Sequence, residues 1–210
     1  MFSRGLSPKT QTNLDRLSRV DFVKKYYLSG GTAAALHLGH RLSYDLDWFS
    51  PIPVHPNVIF SGLTPLGRLS IQQNDQGTFN GSLNGVKLSF FIYPYKLLYP
   101  PIVYQGIKVA DLRDISCMKL DAVSSRGKKR DFIDLFFISQ KYSLEEQLRF
   151  FERRYEKQDV SIKHIIDSLV YFNDAENDAL PEMFKPVNWQ QVKHYFEREV
   201  KLLAKQWGIG

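Results

Sequence analysis

Asp45 and Asp47 are separated by a single apolar residue, Leu46. On a β-strand side chains alternate, so the two carboxylates would face one way and Leu46 and Trp48 the other. Paired carboxylates are hard oxygen donors of the kind Mg2+ or Mn2+ takes. Two such ions can clamp the attacking and leaving oxygens of a phosphoryl transfer. An Asp-x-Asp on its own fits two acids on a solvated strand face equally well. Gly30 and Gly31, followed by Thr32, precede Asp45 with thirteen residues between Gly31 and Asp45. Residues without side chains let the backbone approach a phosphate, and the amides of a following helix start, with the Thr32 hydroxyl, can donate to its oxygens. A lone Gly-Gly is more often an ordinary turn. The order strand, glycine turn, helix, Asp-x-Asp strand is more informative than either motif, because local propensities arrive at the same elements independently.

A second group of polar residues lies downstream. Lys119 falls on the polar side of an otherwise apolar helical pattern, and Asp131 and Asp134, three apart, share a helix face. A lysine can neutralise charge growing on a leaving group, and an acid can hold that lysine or an acceptor hydroxyl. Periodicity alone fits a structural Lys–Asp pair better. Arg126, Lys128, Lys129 and Arg130 form a basic cluster that could hold RNA phosphates or be a solvated loop. His37 and His40 flank Gly39 with no third ligand at zinc spacing, which leaves structural or substrate-positioning roles. Cys117, the one cysteine, sits among Ile115, Met118 and Leu120 and reads as a buried inert thiol.

The elements that must carry these residues can be read along the chain. Leu14, Leu17 and Phe22 suggest a weak helical face within residues 1–25. Residues 26–28 read as a short buried strand, 32–38 as a helix that Gly39 caps, and 45–49 as a strand. Residues 50–65 contain four prolines and read as a loop. The pattern then turns to β. Asn84-Gly85 between 78–83 and 86–93 is a hairpin signal, and 107–109 adds a short strand. In the second hairpin strand Val86, Leu88, Phe90 and Ile92 share one face; Lys87, Ser89 and Phe91 share the other. The remainder is helical: 114–124 with Asp114 as N-cap, 130–139, a helix opened by a Ser143/Glu146 capping box, and apolar stripes at Ile162–Ile165–Ile166–Leu169–Val170 and Trp189–Val192–Phe196–Val200–Leu203. An α/β part, 1–110, and a helical part, 111–210, follow from this division.

Hydrophobic residues make up 43% of the 210, enough for a sizeable core and too many for a disordered chain. The net charge of +6 suits a polyanionic partner such as RNA, DNA or a triphosphate. No stretch approaches the roughly 20 apolar residues a membrane helix needs, and the N-terminus lacks the apolar run of a signal peptide, so a cytoplasmic protein with no membrane contact is expected.

The segment YLSGGTAAALHLGHRLSYDLDWFS, residues 27–50, resembles the signature of the AbiEii/AbiGii-type nucleotidyltransferases, toxins of abortive-infection, type IV-like toxin–antitoxin systems. DLRDISCMKLDAVSSRGKKRDFIDLFFI, residues 111–138, resembles the second block of that family, and YFNDAENDALPEMFKPVNW, residues 171–189, is similar more loosely. The resemblance implies an α+β, polymerase-β-like nucleotidyltransferase fold, a small mixed sheet with helices, plus a C-terminal helical extension. On that reading 1–110 is the nucleotidyltransferase core and 111–210 completes the active site. The resemblance also implies an NTP substrate and Mg2+ (or Mn2+), an RNA acceptor such as a tRNA 3′ end, and a cognate antitoxin protein as partner. Gly30, Gly31 and Thr32 would face the phosphates, with Arg41 and Ser43 just before the acids. Asp45 and Asp47 would hold metal, Lys119 would contact the nucleotide phosphates, and Asp134, with Asp131, would complete the second block. One position departs from the pattern. The superfamily commonly places a third carboxylate on a later strand facing the Asp pair, and here that place falls to Ser89.

Overall fold

The computed structural model describes residues 1–158 and 160–208. The chain divides into two compact units, Met1–Asp111 and Leu112–Gly210.

In the first unit Ser7 caps helix α1 (Pro8–Leu17), accepting from the Thr10 amide at 3.1 Å, and Pro8 opens it. Strand β1 (Tyr27–Ser29) runs straight into helix α2 (Gly30–Leu38), which starts two residues earlier than its helix formers suggest. Gly39 ends α2 in the left-handed conformation, φ 57°. Strand β2 (Leu46–Ser50) begins one residue after Asp45, so only Asp47 of the acid pair lies within the strand. The proline-rich stretch is not all loop. His55 caps a helix, α3 (Pro56–Leu63), because Pro56 falls at its first turn, where a missing amide costs nothing, and Ile59 and Leu63 give it a buried side. Strands β3 (Leu69–Asp75), β4 (Thr78–Leu83), β5 (Val86–Ile92), β6 (Ile102–Tyr104) and β7 (Ile107–Val109) complete the unit. Asn84 (φ 52°) and Gly85 (φ 80°) supply the two positive φ angles that the tight β4–β5 turn requires. β3, within the stretch whose pattern turns to β, and the short β6, three residues with no clear alternation, are the strands the sequence does not delimit.

The seven strands form one mixed sheet in the order β3-β4-β5-β2-β1-β7-β6. β2 runs parallel to β5 and antiparallel to β1, and β1 runs parallel to β7. One face carries Leu28, Leu46, Trp48, Phe79, Leu88 and Phe90, all essentially buried. Trp48 stacks on Phe90 with ring centroids 6.0 Å apart, and Phe22 and Tyr26 meet Phe90 edge-on at 5.2 and 5.0 Å. This aromatic packing anchors the middle of the sheet. The opposite face carries Ser29, Asp47 and Ser89 in one row and Tyr27, Phe49 and Phe91 in the next.

The second unit consists of helices α4 (Leu112–Arg126), α5 (Lys129–Ile138), α6 (Leu144–Arg154), α7 (Ile162–Ser168), α8 (Asn173–Glu176) and α9 (Trp189–Trp207). Helix α4 packs against α5, α6 and α7, and α5 packs against α8 and α9. Capping boxes open α6 at Ser143/Glu146 and α9 at Asn188/Gln191. Phe132 gathers Phe172, Trp189 and Phe196 around it at 5.3, 5.7 and 5.6 Å. Asp114 is not the N-cap of α4. The helix starts at Leu112, and the Asp114 carboxylate lies inside the first turn, where it accepts from the equally buried Arg154 of α6. Val170 leaves the apolar stripe it was assigned to and is exposed, because α7 ends at Ser168. Among the described residues no helix is long and apolar enough to cross a membrane.

Candidate active site

The first unit brings its candidate residues together at the point where β1 turns into α2. Ser29, Asp47 and Ser89 are direct neighbours across three strands, since Asp47 pairs with Ser29 on β1 and with Ser89 on β5. Directly paired residues project to the same face, so Asp47 stands between two hydroxyls. Gly30 has φ 69°, and a Cβ added there would come within 3.2 Å of Asp47 Oδ2. The glycine thus does two things: it takes a backbone conformation that L side chains avoid, and it leaves room for the carboxylate. Gly31 gives way to a different neighbour. A Cβ on it would lie 2.5 Å from Arg41 Nη2 and 3.6 Å from Ser43 Oγ.

Thr32 and Ser43 are buried and turned toward each other. The Thr32 hydroxyl donates to the Asp45 carbonyl and lies 2.8 Å from Ser43 Oγ. This clasp fixes the backbone of Asp45 although that residue is outside β2. Arg41 is also buried; one of its amino groups donates to the Leu42 carbonyl at 3.1 Å. Asp45 and Asp47 are half-buried. His37 lies 2.8 Å from the Ala110 carbonyl, which ties the end of α2 to the strand region, and His40 is fully buried.

A second cluster is built on α4 and α5. Lys119 is 3% exposed, and its ammonium donates at 2.6 Å to Asp131 Oδ1 and lies 2.6 Å from Asp134 Oδ2. Arg126 adds a third link, with Nε 3.0 Å from Asp131 Oδ2 and Nη2 3.4 Å from Oδ1. Lys119 and the two carboxylates are buried and the half-exposed Arg126 completes the charge balance, so removing Lys119 or a carboxylate would leave an uncompensated buried charge. Burial pushes the Asp131 carboxyl up, but the Lys119 and Arg126 charges outweigh it and hold the group below its usual range. Burial raises the Cys117 thiol to about 12, which keeps it protonated and unreactive at neutral pH.

The basic run 126–130 is not one surface patch. Arg126 serves Asp131, Lys128 lies 3.5 Å from Asp178, and Lys129 is buried, donating to the Glu176 and Asp178 carbonyls with its ammonium 5.2 Å from the Trp189 ring. Arg130 is exposed. Arg126 as partner of Asp131 was missed in the sequence, although it lies seven residues after Lys119, two turns on and on the same helix face. The Arg154–Asp114 pair carries no local signal, because its members are forty residues apart.

Among the described residues no three or more His, Cys, Asp or Glu side chains are grouped to hold a metal ion. Two half-buried carboxylates are nevertheless a suitable protein contribution for Mg2+, which keeps much of its shell in water and substrate phosphate and takes one or two carboxylates from the protein.

The fold is that of the polymerase-β-like nucleotidyltransferases. Residues 85–207 match the family model described as nucleotidyl transferase AbiEii toxin, type IV toxin–antitoxin system, and the chain belongs to that family. An uncharacterized protein of Aquifex aeolicus is 36% identical over 205 residues, covering 94% of this chain and 97% of its own. Of solved structures, JHP933 from Helicobacter pylori superposes with TM-score 0.58 at 20% identity, covering 96% of this chain and 94% of its own. MenT4, a nucleotidyltransferase toxin from Mycobacterium tuberculosis H37Rv, gives TM-score 0.56 at 14% identity over 90% and 82% of the two chains. At these identities the structures show the shared fold alone. The family match begins at Gly85, so Gly30 and the acid pair lie outside it.

Proposed function

We propose that this toxin-family nucleotidyltransferase moves a nucleoside monophosphate from an NTP onto an RNA 3′-hydroxyl, with tRNA as the acceptor. The observation that carries the reading is the packing of Asp47 Oδ2 against the Gly30 turn, with Ser29 and Ser89 on either side. It sets a carboxylate beside a helix start, where backbone amides favour phosphate. In the reaction the acceptor oxygen bonds to the α-phosphorus, the bond from that phosphorus to the β-phosphate oxygen breaks, and pyrophosphate leaves. Asp45 and Asp47 would hold Mg2+, which when bound supplies Lewis-acid charge to the phosphoryl oxygens. Gly30, Gly31 and the α2 amides take the phosphates. Arg41 and the Thr32–Ser43 clasp set the backbone on which the acids stand. Lys119, buried and bonded to both Asp131 and Asp134, holds α4 to α5 within the second unit. Family membership supports a toxin held in check by a co-encoded antitoxin protein and working in the cytoplasm. Incubation with Mg2+, bulk tRNA and each of the four labelled NTPs in turn tests this: label should join RNA with at least one, and transfer with none beside an active control enzyme would count heavily against it.

Ser89 supports a second reading. It is 1% exposed and in register with Asp47, where a further carboxylate would otherwise stand, and a serine hydroxyl cannot replace a carboxylate as base or metal ligand. On this reading the chain binds nucleotide or RNA with little or no turnover. Tight NTP binding without transfer, and toxicity that survives Asp45→Asn, would select it over the first.

A further inference from the structure

The sheet face that carries Asp47 continues past Ser89 onto β4 and β3. Register puts Asn80 beside Ser89 and Gln73 beside Asn80; in the next row it puts Ser82 beside Lys87 and Ser70 beside Ser82. Directly paired residues share a face, so these side chains form one polar ledge that starts at Asp47. Three groups at its inner edge lack partners among the described residues. Ser89 is 1% exposed, and its hydroxyl bonds to none of them. Lys87 is exposed, and no acid pairs with it. The third group is Asn80 Oδ1. An ionised carboxylate can only accept, so Gln73 turns its nitrogen to Asp75 at 2.9 Å and its oxygen to the Asn80 nitrogen at 3.1 Å. That polarity leaves the Asn80 oxygen as an open acceptor beside Ser89. Asp75 is the one acid of β3, β4 and β5, and it lies two rows from Lys87.

In-line displacement narrows what this ledge can meet. The attacking and leaving oxygens stand on opposite sides of the α-phosphorus. On the reading above the phosphates lie at Gly30 and the α2 amides, on the β1 side of Asp47, so the attacking hydroxyl comes from the β5 side. We propose that the 3′ end of the acceptor RNA lies along the β5–β4–β3 ledge. Lys87 holds its last phosphodiester, Asn80 Oδ1 accepts from the 2′-hydroxyl of its terminal ribose, and the Ser89 hydroxyl faces the 3′-oxygen. Lys87 is two residues from Ser89, about 7 Å along the strand, a separation that one nucleotide spans. Arg68, exposed and next to the start of β3, puts a second cation at that end of the ledge for the phosphate upstream. The 2′-hydroxyl contact makes the ledge select RNA over DNA. The inference rests on the RNA acceptor proposed above and adds which residues hold and select it.

The test is a fluorescence-anisotropy titration of the full chain with a labelled single-stranded RNA bearing a free 3′ end, and with DNA of the same sequence, in Mg2+ without NTP. Lys87→Ala should weaken RNA and DNA alike about fivefold and make the slope of log affinity against log salt shallower by about 0.7, the share of one phosphate contact. Lys87→Arg, which keeps the charge, should stay within about twofold of the parent. Asn80→Ala should weaken RNA about threefold, the share of one hydrogen bond, and leave DNA unchanged. Calorimetric titration with each of the four NTPs should give parental affinities for all three variants. Unchanged RNA affinity in Lys87→Ala, or an unchanged preference for RNA over DNA in Asn80→Ala, would overturn the proposal. So would a loss in Lys87→Ala confined to NTP binding, which would make the lysine a triphosphate ligand. Because the anisotropy titration needs no turnover, Lys87-dependent RNA binding by a chain that transfers nothing would sustain the ledge and refute only the reaction. Transfer to RNA with the KM for RNA unmoved by Lys87→Ala would refute the ledge and leave the reaction standing.

Discussion

At the scale of single residues, the glycine turn decides most about the candidate site. Gly30 combines a strained backbone with a close approach to Asp47 Oδ2, and the two effects can be separated. Ala at a positive φ costs on the order of 1 kcal/mol wherever it is placed. Gly85 has φ 80° and nothing within 4 Å of an added Cβ, so Gly85→Ala measures the backbone cost alone. Gly30→Ala should lower the melting temperature by a similar few degrees and also cut the transfer rate about tenfold or more, because the methyl displaces the carboxylate. Gly85→Ala should leave the rate intact. Equal rates for the two variants would show that the Gly30–Asp47 contact is irrelevant to the chemistry.

At the scale of elements, two assemblies should dominate stability. Asn84 holds the β4–β5 turn by its φ of 52° and by its side chain, which donates to Asn13 Oδ1 at 2.9 Å and accepts from the Arg68 amide at 3.0 Å. Asn84→Ala should cost about 2 kcal/mol in urea unfolding, the sum of a lost local network and a strained φ. In the α4–α5 cluster, Asp131→Asn should cost about 3 kcal/mol, because Lys119 stays buried with half its compensation gone. The pH dependence follows from the direction of the shift. The folded-state Asp131 carboxyl lies below its unfolded value near 3.8, so its contribution is complete above that value and is lost as pH falls through the folded one. The stability difference between parent and Asp131→Asn should therefore be flat from pH 7 to 5 and shrink below pH 4. A difference that grows on acidification would contradict the ion-pair account.

These elements were legible to different degrees. The β4–β5 hairpin and the Ser143 capping box follow from chemistry within a few residues, which the sequence displays directly. The α3 helix was hidden because prolines read as loop until Pro56 is recognised at a first helical turn. Asp114 resembles a cap by residue type, but its partner is Arg154, forty residues away, and only tertiary packing reveals that pairing. The acid pair and the glycine turn were visible as motifs. Ser89, which the family pattern sets opposite the acid pair, does stand in register beside Asp47, although the full strand order is not specified by one sequence.

For the molecule as a whole, a basic chain of the AbiEii family carries its candidate groups in two sets. One is on the Ser29–Asp47–Ser89 row of a mixed sheet, the other in a helical unit whose charged groups are paired. The most direct test of the account uses RNA with NTP labelled either on the α- or on the γ-phosphate, and compares the parent with Asp47→Asn. The account predicts that the α label joins the RNA 3′ end, that the γ label leaves in pyrophosphate, and that Asp47→Asn slows transfer at least about 100-fold with an unchanged melting temperature. Transfer of the γ label, or an Asp47→Asn protein as fast as its parent, would contradict it.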